Sequence, residues 1–439
     1  MTTQILHARL KAHPDSHTVK RSLATGGYTA LRRALQEMSP QKVMEEVKAS
    51  GILGRGGADF GTGMKWESIP AGSFPRYVVV NADEGEPGTF KDRELIERDP
   101  HQLIEGIALT CFAVDAEKAF IYCRGEFRLG HARLAQAIAE ATERGFLGRD
   151  ILGSGRNIEI VLHRGAGAYV CGEETALLSS LEGYRGEPRL RPPHPTVAGL
   201  YAKPTVVNNV ETLSNVPWIV NNGGAAYAAL GTEKSKGNRI FSLSGCVNRP
   251  GNYEVELGTP FRDLIYNHGG GIRDGNDIKF FVPGGGSAPW YGPDRLDLPL
   301  DMAEVKANGS MLGSGAVMVA DSEVCAVRSA LNLVRFFDHE SCGQCTPCRE
   351  GCGWMTQILT RIEEGTGRAV DLDLLLDVSD NIAPQWRWGQ WPYLMTTICY
   401  VGPSASVAAV SAVTMFREEF EQHVTERGCP LRREHARAQ

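Results

Sequence analysis

The chain has 439 residues, which exceeds what one compact core normally holds, so we expect more than one domain. Its 46 Lys and Arg against 52 Asp and Glu give a net charge of −6, without the basic surplus that is typical of nucleic-acid binding. A composition of 42% hydrophobic and 22% charged residues is typical of a soluble globular protein.

The N-terminal half predicts alternating strands and helices. Residues up to about Gly26 are polar and irregular, and we expect them to form an adaptable arm, followed by a short amphipathic helix at Gln41–Val47. Glu173–Leu181 should also be helical. Buried strands are expected at Arg76–Val80, Ala119–Tyr122 and Ile158–Leu162. This alternation indicates a mainly parallel sheet with helices on its faces, and we assign residues 1–236 to an α/β domain with an N-terminal arm.

The pattern changes near Gly237, and a smaller module is predicted for residues 237–321. Short strands at Ile240–Leu243, Tyr253–Val255 and Ile278–Val282 surround a helix at Phe261–Tyr266, which is typical of a small α+β domain.

From residue 322 to residue 439 the chain is predicted to be a compact helical bundle. Apolar residues recur at helical spacing, as at Val327, Leu331 and Val334. The mild apolar stretch Val401–Phe416 is interrupted by Gly and Pro and is too short to cross a bilayer. The first residues also lack the apolar run of a signal peptide, so we expect a cytoplasmic protein that reaches a membrane only through partners.

Three of the eleven Cys, namely Cys342, Cys345 and Cys348, form a C-x2-C-x2-C motif. This spacing places three thiolates around one turn, as three irons of a 4Fe–4S cluster require. The alternative is a zinc knuckle, although structural zinc usually takes two separate C-x2-C pairs. The fourth ligand is open from the residues alone. Cys352 completes the ferredoxin spacing, whereas Cys399 could close the site from a distant helix.

A glycine-rich run, Gly54–Trp66, precedes the first strand. Glycine allows backbone N–H groups to converge on an anion, and Arg55 and Lys65 add positive charge. The run is neither a P-loop nor a Rossmann fingerprint, since Asp59 stands where the last glycine of that fingerprint belongs. It indicates a phosphate or nucleotide loop, with an ordinary glycine turn as the alternative.

A second glycine loop, His163–Leu178, leads from a strand into a helix N-terminus, where backbone donors and the helix dipole favour anionic groups. Ligands of open α/β sheets lie beyond the carboxyl ends of the strands. Carboxylates that accept hydrogen bonds from ribose or ribityl hydroxyls are therefore expected near one crevice, and the candidates are Asp83, Glu84, Glu86, Glu173 and Glu174. For any one of them the alternative is a solvated acidic loop.

Together these motifs resemble the NADH-binding flavoprotein subunit of respiratory complex I, the family of bacterial NADH–quinone oxidoreductase F subunits. The resemblance runs from about Gly26 to Phe416. It rests on the motifs Gly54–Trp66, Asn81–Glu84, Gly165–Thr175, Asn208–Thr212 and Glu340–Gly351. It implies a Rossmann-like FMN and NADH domain, a ubiquitin-like (soluble ligand-binding β-grasp) module and a helical bundle that carries a 4Fe–4S cluster.

The resemblance also implies roles for individual residues. The implied FMN contacts are Gly54, Arg55, Gly56, Lys65, Asn81, Asp83, Tyr169, Gly172, Glu173, Glu174, Asn208 and Asn209. The implied NADH contacts are Gly57, Phe60, Glu84, Glu86 and Glu174. Glu84 and Glu86 are expected to position NADH, and no side-chain acid or base is required because the hydride chemistry belongs to the cofactors.

At three places the sequence departs from the family pattern. Asp59 replaces a glycine in the first loop, and His194 stands where the family often places an aromatic ring on adenine. The Trp-rich segment 384–393 looks unlike the family. By family position the fourth cluster ligand is Cys399, which reverses the choice that spacing alone favours.

The expected function is therefore an NADH dehydrogenase subunit that takes hydride from NADH onto FMN and passes single electrons to a 4Fe–4S cluster and on to quinone. The resemblance implies as partners a thioredoxin-like 2Fe–2S subunit and a large iron–sulfur subunit on the cytoplasmic side of the cell membrane. One alternative is the diaphorase subunit of a NAD-linked hydrogenase or formate dehydrogenase. The other is a zinc-stabilised assembly protein without activity.

Overall fold

The computed structural model describes residues 3–384 and 395–431, so nearly all of the Trp-rich segment lies outside the described residues. The chain divides into two compact units. The first contains Met1–Gly85, Thr89–Phe241 and Asn252–Thr259, and the second contains Glu86–Gly88, Ser242–Gly251 and Pro260–Gln439.

The first unit is an α/β structure, as predicted. Its strands are β1 (Tyr77–Ala82), β2 (Lys118–Cys123), β3 (Glu159–Arg164) and β4 (Thr205–Asn209). Its helices are α1 (His7–Ala12), α2 (Val19–Ala24), α3 (Thr29–Glu37), α4 (Pro40–Ala49), α5 (Thr62–Glu67), α6 (Lys91–Arg98), α7 (Pro100–Val114), α8 (Arg128–Glu143), α9 (Glu174–Leu181), α10 (Pro195–Ala198), α11 (Val210–Asn222) and α12 (Gly224–Ala228).

The four strands of the first unit form a parallel sheet in the order β3-β2-β1-β4. From β1 the chain builds the sheet outward through β2 to β3, and it then returns to add β4 on the other side of β1. The direction in which strands are added therefore reverses between β1 and β4. In the register, Asn81 of β1 lies beside Asn209 of β4. Ligands of such sheets bind beyond the carboxyl ends of the strands at this switch point. The helix α7 is buried along its whole length, which explains why it lacks a polar face.

The N-terminal residues do not form the irregular arm that we predicted. They form α1 and α2, and Leu6 and Leu10 are fully buried. The buried Glu254 carboxylate holds this segment in place, because it accepts hydrogen bonds from the backbone N–H groups of Ile5, Leu6 and His7 at 2.7 to 3.1 Å. The prediction was wrong because this anchor lies about 250 positions away in the sequence.

Replacing Glu254 with Ala should release the N-terminal segment. Three backbone donors would lose a charged acceptor, and each buried unsatisfied donor costs roughly 1–3 kcal/mol. Hydrogen exchange should therefore accelerate at Ile5–His7 while the amides of β1 keep their protection. Glu233→Ala, at an exposed position, is the control. Unchanged exchange at Ile5–His7 in Glu254→Ala would contradict this anchoring role.

The second unit combines a mixed sheet with a helical bundle. Its strands are Ser242–Gly245 of β5 (Asn238–Gly245), β7 (Ile278–Val282) and β8 (Ala316–Asp321), and β8 pairs in parallel with β5 and antiparallel with β7. The strand β6 (Gly251–Glu256) belongs almost wholly to the first unit. The helices are α13 (Met302–Ala307), α14 (Ala326–Glu340), α15 (Thr346–Glu363), α16 (Asp371–Ile382) and α17 (Val401–Thr425). The helix that we predicted at Phe261–Tyr266 is a π-helical turn at Asp263–His268.

The apolar faces that the sequence predicts in α14 and α15 are confirmed. Val327, Leu331 and Val334 are buried in α14, and Met355 and Leu359 are buried in α15. In each helix the buried residues lie on one side, and these sides form the interior of the bundle. Among the helices of residues 3–384 and 395–431, none is both long and apolar enough to cross a membrane.

Candidate functional site

In the first unit, asparagine side chains lie at the carboxyl ends of β1 and β4. Asn208 accepts a hydrogen bond at its Oδ1 from the Trp66 indole N–H at 2.9 Å. Asn209 caps α11 by accepting from the Thr212 N–H at 3.3 Å, and its amide donates to Asp92 at 2.6 Å. The structure thus brings Asn81, Asn208 and Asn209 to the switch point of the sheet.

The first glycine loop reaches the same edge of the sheet. It is closed by a hydrogen bond from the Gly54 N–H to the Phe60 carbonyl at 2.9 Å, next to an antiparallel bridge between Leu53 and Gly61. A Cβ atom on Gly56 would lie 3.2 Å from the Asn209 Cβ, so glycine allows the loop to approach the end of β4 closely. Gly57 lies on the same loop with a left-handed φ of 118°. The Phe60 ring is 54% exposed, as a stacking surface requires.

Arg55 of this loop is fully buried. Its backbone N–H donates to the Thr212 hydroxyl at 2.8 Å, and its Nη2 donates to the carbonyls of Lys236 and Asn238 at 2.9 and 3.0 Å. Its Nε and Nη1 are buried and make no hydrogen bond within the described part of the chain. Buried donors of this kind are costly unless they meet an acceptor, so they suit an anionic group.

Two charged residues of the second glycine loop face Lys65 and Arg191. The Lys65 ammonium donates to Glu174 at 2.8 Å and to the Val207 carbonyl of β4 at 3.0 Å. Arg191 pairs with Glu174 at 3.2 Å and with Glu173 at 3.4 Å. The other Glu173 oxygen caps α9 by accepting its first backbone N–H groups. Both carboxylates are therefore held by several donors, and Lys65 connects Glu174 to β4.

The loop that follows β1 contacts the short 3-10 turn Tyr169–Gly172. The Asn81 amide donates to the Gly172 carbonyl at 2.8 Å, and the Asn81 Oδ1 accepts from the Asp83 N–H at 3.1 Å. A Cβ atom on Gly85 would lie 3.0 Å from the Tyr169 ring. The loop after β1 and the second glycine loop therefore meet beyond the carboxyl ends of the strands.

The Glu84 carboxylate reaches the start of α6, where its two oxygens accept the N–H groups of Asp92 and Arg93 at 2.7 and 2.9 Å. Burial, together with the neighbouring Asp92 carboxylate, raises the pKa of Glu84 to about 8. Burial thus opposes the charged form of Glu84, whereas the two N–H donors favour it.

Sequence reasoning missed a buried charge cluster beneath this site. Lys91 donates to Asp92 at 2.9 Å and lies 2.8 Å from Glu211, and all three side chains are almost completely buried. Asp92 also holds the Asn209 amide. Little in the sequence indicates this cluster. Glu211 lies within the motif Asn208–Thr212, but no sequence pattern pairs it with Lys91.

Two further predicted cofactor contacts, Glu86 and His194, have hydrogen-bond partners of their own. Glu86 belongs to the second unit, where one carboxylate oxygen accepts from the Ser287 N–H at 2.7 Å and from its hydroxyl at 2.6 Å. His194 is exposed just before α10, and its carbonyl accepts the Val197 N–H at 2.9 Å. The roles predicted for both residues in NADH binding stay predictions.

In the second unit, the three motif cysteines lie between α14 and α15. Cys342 follows the end of α14, Cys345 is the N-cap of α15, and Cys348 lies in its first turn. The Ser341 hydroxyl lies 3.3 Å from the Cys348 sulfur. The three cysteines thus lie along the turn that leads into the N-terminus of α15, and their role as cluster ligands stays a prediction.

The segment that contains Cys399 packs against these cysteines. The Ile398 N–H donates to the Cys345 sulfur at 3.3 Å, and a Cβ atom on Gly402 would lie 3.1 Å from the Cys348 Cβ. N–H groups of this kind stabilise cluster thiolates. Cys352 is fully buried one turn after Cys348 on α15, with 4.0 Å between the two sulfurs.

Family models cover most of the chain. The Nuo51 FMN-binding domain matches residues 47–218, the SLBB domain matches residues 240–288, and the NADH-ubiquinone oxidoreductase-F iron–sulfur binding region matches residues 328–423. The first and last of these contain the two sites described above.

Curated relatives and solved structures agree with these matches. A solved NAD⁺-reducing NiFe-hydrogenase shares the fold with a TM-score of 0.80 at 32% identity, over 98% of this chain and 67% of that chain. The F subunit of NADH-quinone oxidoreductase in Streptomyces coelicolor is 51% identical over 92% of this chain and 88% of its own length. An F subunit of NADH-quinone oxidoreductase in Rhizobium meliloti is 50% identical over 95% of this chain and 97% of its own length. The chain belongs to the family of NADH-quinone oxidoreductase F subunits.

Proposed function

We propose that the carboxyl edge of β1 and β4 holds FMN and receives NADH, in a chain that works as the NADH dehydrogenase subunit of an NADH–quinone oxidoreductase. The convergence of Asn81, Asn208 and Asn209 with both glycine loops at the switch point carries this proposal. FMN, when bound, accepts hydride from NADH and releases electrons one at a time to a 4Fe–4S cluster.

The residues of this edge fit the chemical groups of FMN. Arg55 has buried donors that meet no acceptor in the part of the chain that the structure describes, and Lys65 adds an ammonium group, so a phosphate would find positive charge there. Gly54 and Gly56 leave space for a close approach, and Asn81, Asp83 and Glu174 offer acceptors for ribityl hydroxyls. We assign the remaining contacts to Tyr169, Gly172, Glu173, Asn208 and Asn209 for FMN and to Gly57, Phe60, Glu84, Glu86 and His194 for NADH.

In the second unit, we propose Cys342, Cys345, Cys348 and Cys399 as the cluster ligands. The first three share one turn, and the Ile398 N–H on the Cys345 sulfur supports a ligand role for the neighbouring Cys399. The donor set of four thiols fits a 4Fe–4S cluster, which needs one thiolate for each iron.

The finer organisation is also part of the proposal. We divide the chain into the domains 1–236, 237–321 and 322–439, and we describe the middle one as a ubiquitin-like module because a mixed sheet accompanies a short helix. The chain is a subunit of a multi-subunit complex, and its partners are a thioredoxin-like 2Fe–2S subunit and a large iron–sulfur subunit at the cytoplasmic face of the membrane. The second candidate is a diaphorase role in a NAD-linked hydrogenase or formate dehydrogenase. We rank it second because the similar hydrogenase chain is longer than this one, which covers 67% of it.

Lys65→Gln should weaken FMN binding. A hydrogen bond to a charged group contributes roughly 1.5–3 kcal/mol, so the dissociation constant should rise about 10- to 100-fold. Purified wild-type protein should release FMN, and not FAD, on denaturation. Lys48→Gln is the matched control, because Lys48 pairs with Glu67 on the surface at 2.7 Å. Release of FAD, or equal FMN affinity in wild type and Lys65→Gln, would contradict the assignment.

A further inference from the structure

A second group of metal-binding side chains lies in the helical bundle, apart from the motif cysteines. The group consists of Cys325, His423 and Cys429, and their ligand atoms all lie within 4.8 Å of one another. The Cys325 sulfur is 3.3 Å from the His423 Nε2. His423 and Cys429 are buried and Cys325 is partly buried, so these atoms face one another inside the fold.

The His423 ring is oriented for metal binding. Its Nδ1 lies 2.7 Å from the Glu419 carbonyl oxygen, which is an acceptor only, so Nδ1 carries the proton and donates it. In the neutral ring the lone pair is then on Nε2, which faces the two sulfurs. A hydrogen bond from the second ring nitrogen to a carbonyl is the usual way in which proteins orient a metal-bound histidine.

A fourth donor lies beside this group. The Glu363 Oε2 is 3.6 Å from the His423 Nε2 and 3.9 Å from the Cys325 sulfur. Zinc bonds of about 2.0–2.3 Å in a tetrahedron place neighbouring ligand atoms roughly 3.3–3.8 Å apart. The separations among the Cys325, His423 and Glu363 ligand atoms, 3.3, 3.6 and 3.9 Å, are close to this range, and the Cys429 sulfur lies within 4.8 Å of the Cys325 and His423 ligand atoms.

We propose that Cys325, His423 and Cys429 bind a structural zinc ion, with the Glu363 carboxylate as the fourth ligand. Two thiolates and one imidazole select a borderline-soft cation such as Zn²⁺ over Mg²⁺ or Ca²⁺, which prefer oxygen ligands. The two thiols lose their protons to solvent when the ion binds. A site with four protein ligands is closed, and its role is structural.

The elements that carry these ligands explain what the ion would do. Cys325 is the N-cap of α14 and accepts the Arg328 N–H at 3.4 Å. His423 lies in the last turn of α17, and the Gly428 N–H donates to the His423 carbonyl at 2.9 Å, which orders the turn before Cys429. The ion would join the start of α14 to the end of α17.

The opposite ends of these two helices adjoin the motif cysteines. The 15 residues of α14 span about 22 Å, so the zinc ligands and the cluster ligands lie at different ends of the helix pair. Loss of zinc should therefore lower the stability of the bundle and leave the iron content unchanged. This inference concerns a metal site beyond the proposed function and does not depend on it.

The test uses the full chain with its FMN and iron–sulfur cluster, incubated with Zn²⁺ alone and then desalted. Elemental analysis should find about one zinc per chain, with unchanged iron. Zinc K-edge X-ray absorption, which does not detect iron, should show two sulfur ligands at about 2.3 Å and two nitrogen or oxygen ligands at about 2.0–2.2 Å. No retained zinc, or a shell of three or more sulfurs with loss of iron, would overturn the proposal.

Two variants test the ligands separately. Cys429→Ala and His423→Ala should each bind zinc at least about 100-fold more weakly, since even changes to outer-shell partners cost 10- to 100-fold. Cys246→Ala, at another buried cysteine of the same unit, should bind like wild type. Zinc should raise the Tm of wild type and not that of Cys429→Ala. A Cys325–Cys429 disulfide in protein kept under reducing conditions, or equal zinc affinity in all variants, would refute the site.

Discussion

Cys399→Ser should abolish the electron paramagnetic resonance signal of the reduced 4Fe–4S cluster, whereas Cys352→Ser should keep it. Loss of a thiolate ligand leaves one iron open, so the cluster is lost or degraded. The segment around Cys399 already touches two motif cysteines through Ile398 and Gly402. FMN should stay bound in both variants, because the flavin residues belong to the first unit.

The position of Cys352 argues against a ligand role. Its sulfur lies 4.0 Å from that of Cys348, one turn earlier on the same helix. Thiolates that bind different irons of one cubane are held apart by the cluster itself, and two sulfurs nearly in contact do not have that spacing. In two-cluster ferredoxins, the fourth cysteine of this spacing ligates the other cluster.

Iron content and the resonance signal, measured on both variants side by side, check this prediction. Cys111→Ser is a control at a buried cysteine of the first unit and should keep the signal. If Cys352→Ser loses the signal and Cys399→Ser retains it, the assignment of the fourth ligand is wrong and spacing outweighs family position.

Lys91→Met should lower the free energy of unfolding by about 3–5 kcal/mol, because removing one partner of a buried ion pair leaves an uncompensated charge. Here two carboxylates, Asp92 and Glu211, would lose their shared cation, and both are buried. Asp92 also positions the Asn209 amide at the FMN edge, so FMN affinity should fall as well.

Arg93→Met is the matched control on the neighbouring residue of α6. Arg93 forms an exposed pair with Glu97 at 2.9 Å, and such pairs contribute less than about 1 kcal/mol. Chemical denaturation of the FMN-loaded and FMN-free proteins measures both changes. Equal stability of Lys91→Met and Arg93→Met would contradict the role that we give to the buried cluster.

Local patterns predicted the architecture well. The strands β1, β2 and β3 were expected from short runs of buried residues, and the helical faces of α14 and α15 were expected from their spacing. The glycine loops were recognisable because their glycines are close together in the sequence. Features of this kind arise from residues that are close together in the chain, so local sequence patterns are enough to predict them.

Contacts between distant positions were not predictable in this way. Glu254 anchors Ile5–His7, Lys91 pairs with Glu211, and Cys325 meets His423 and Cys429. In each case the tertiary fold brings together buried side chains that are far apart in the sequence. The strands β4 and β8 were also missed, and each follows a segment rich in Gly or Pro.

The central claim is that this chain binds FMN in the first unit and reduces it with NADH. Anaerobic titration of the purified protein with NADH, followed by flavin absorbance and by the resonance signal of the cluster, tests it most directly. We predict that NADH bleaches the flavin absorbance and makes the signal of the reduced cluster appear, and that Lys65→Gln, emptied of FMN, shows neither change. If the FMN-loaded wild type kept its flavin oxidised in excess NADH, the account would be contradicted.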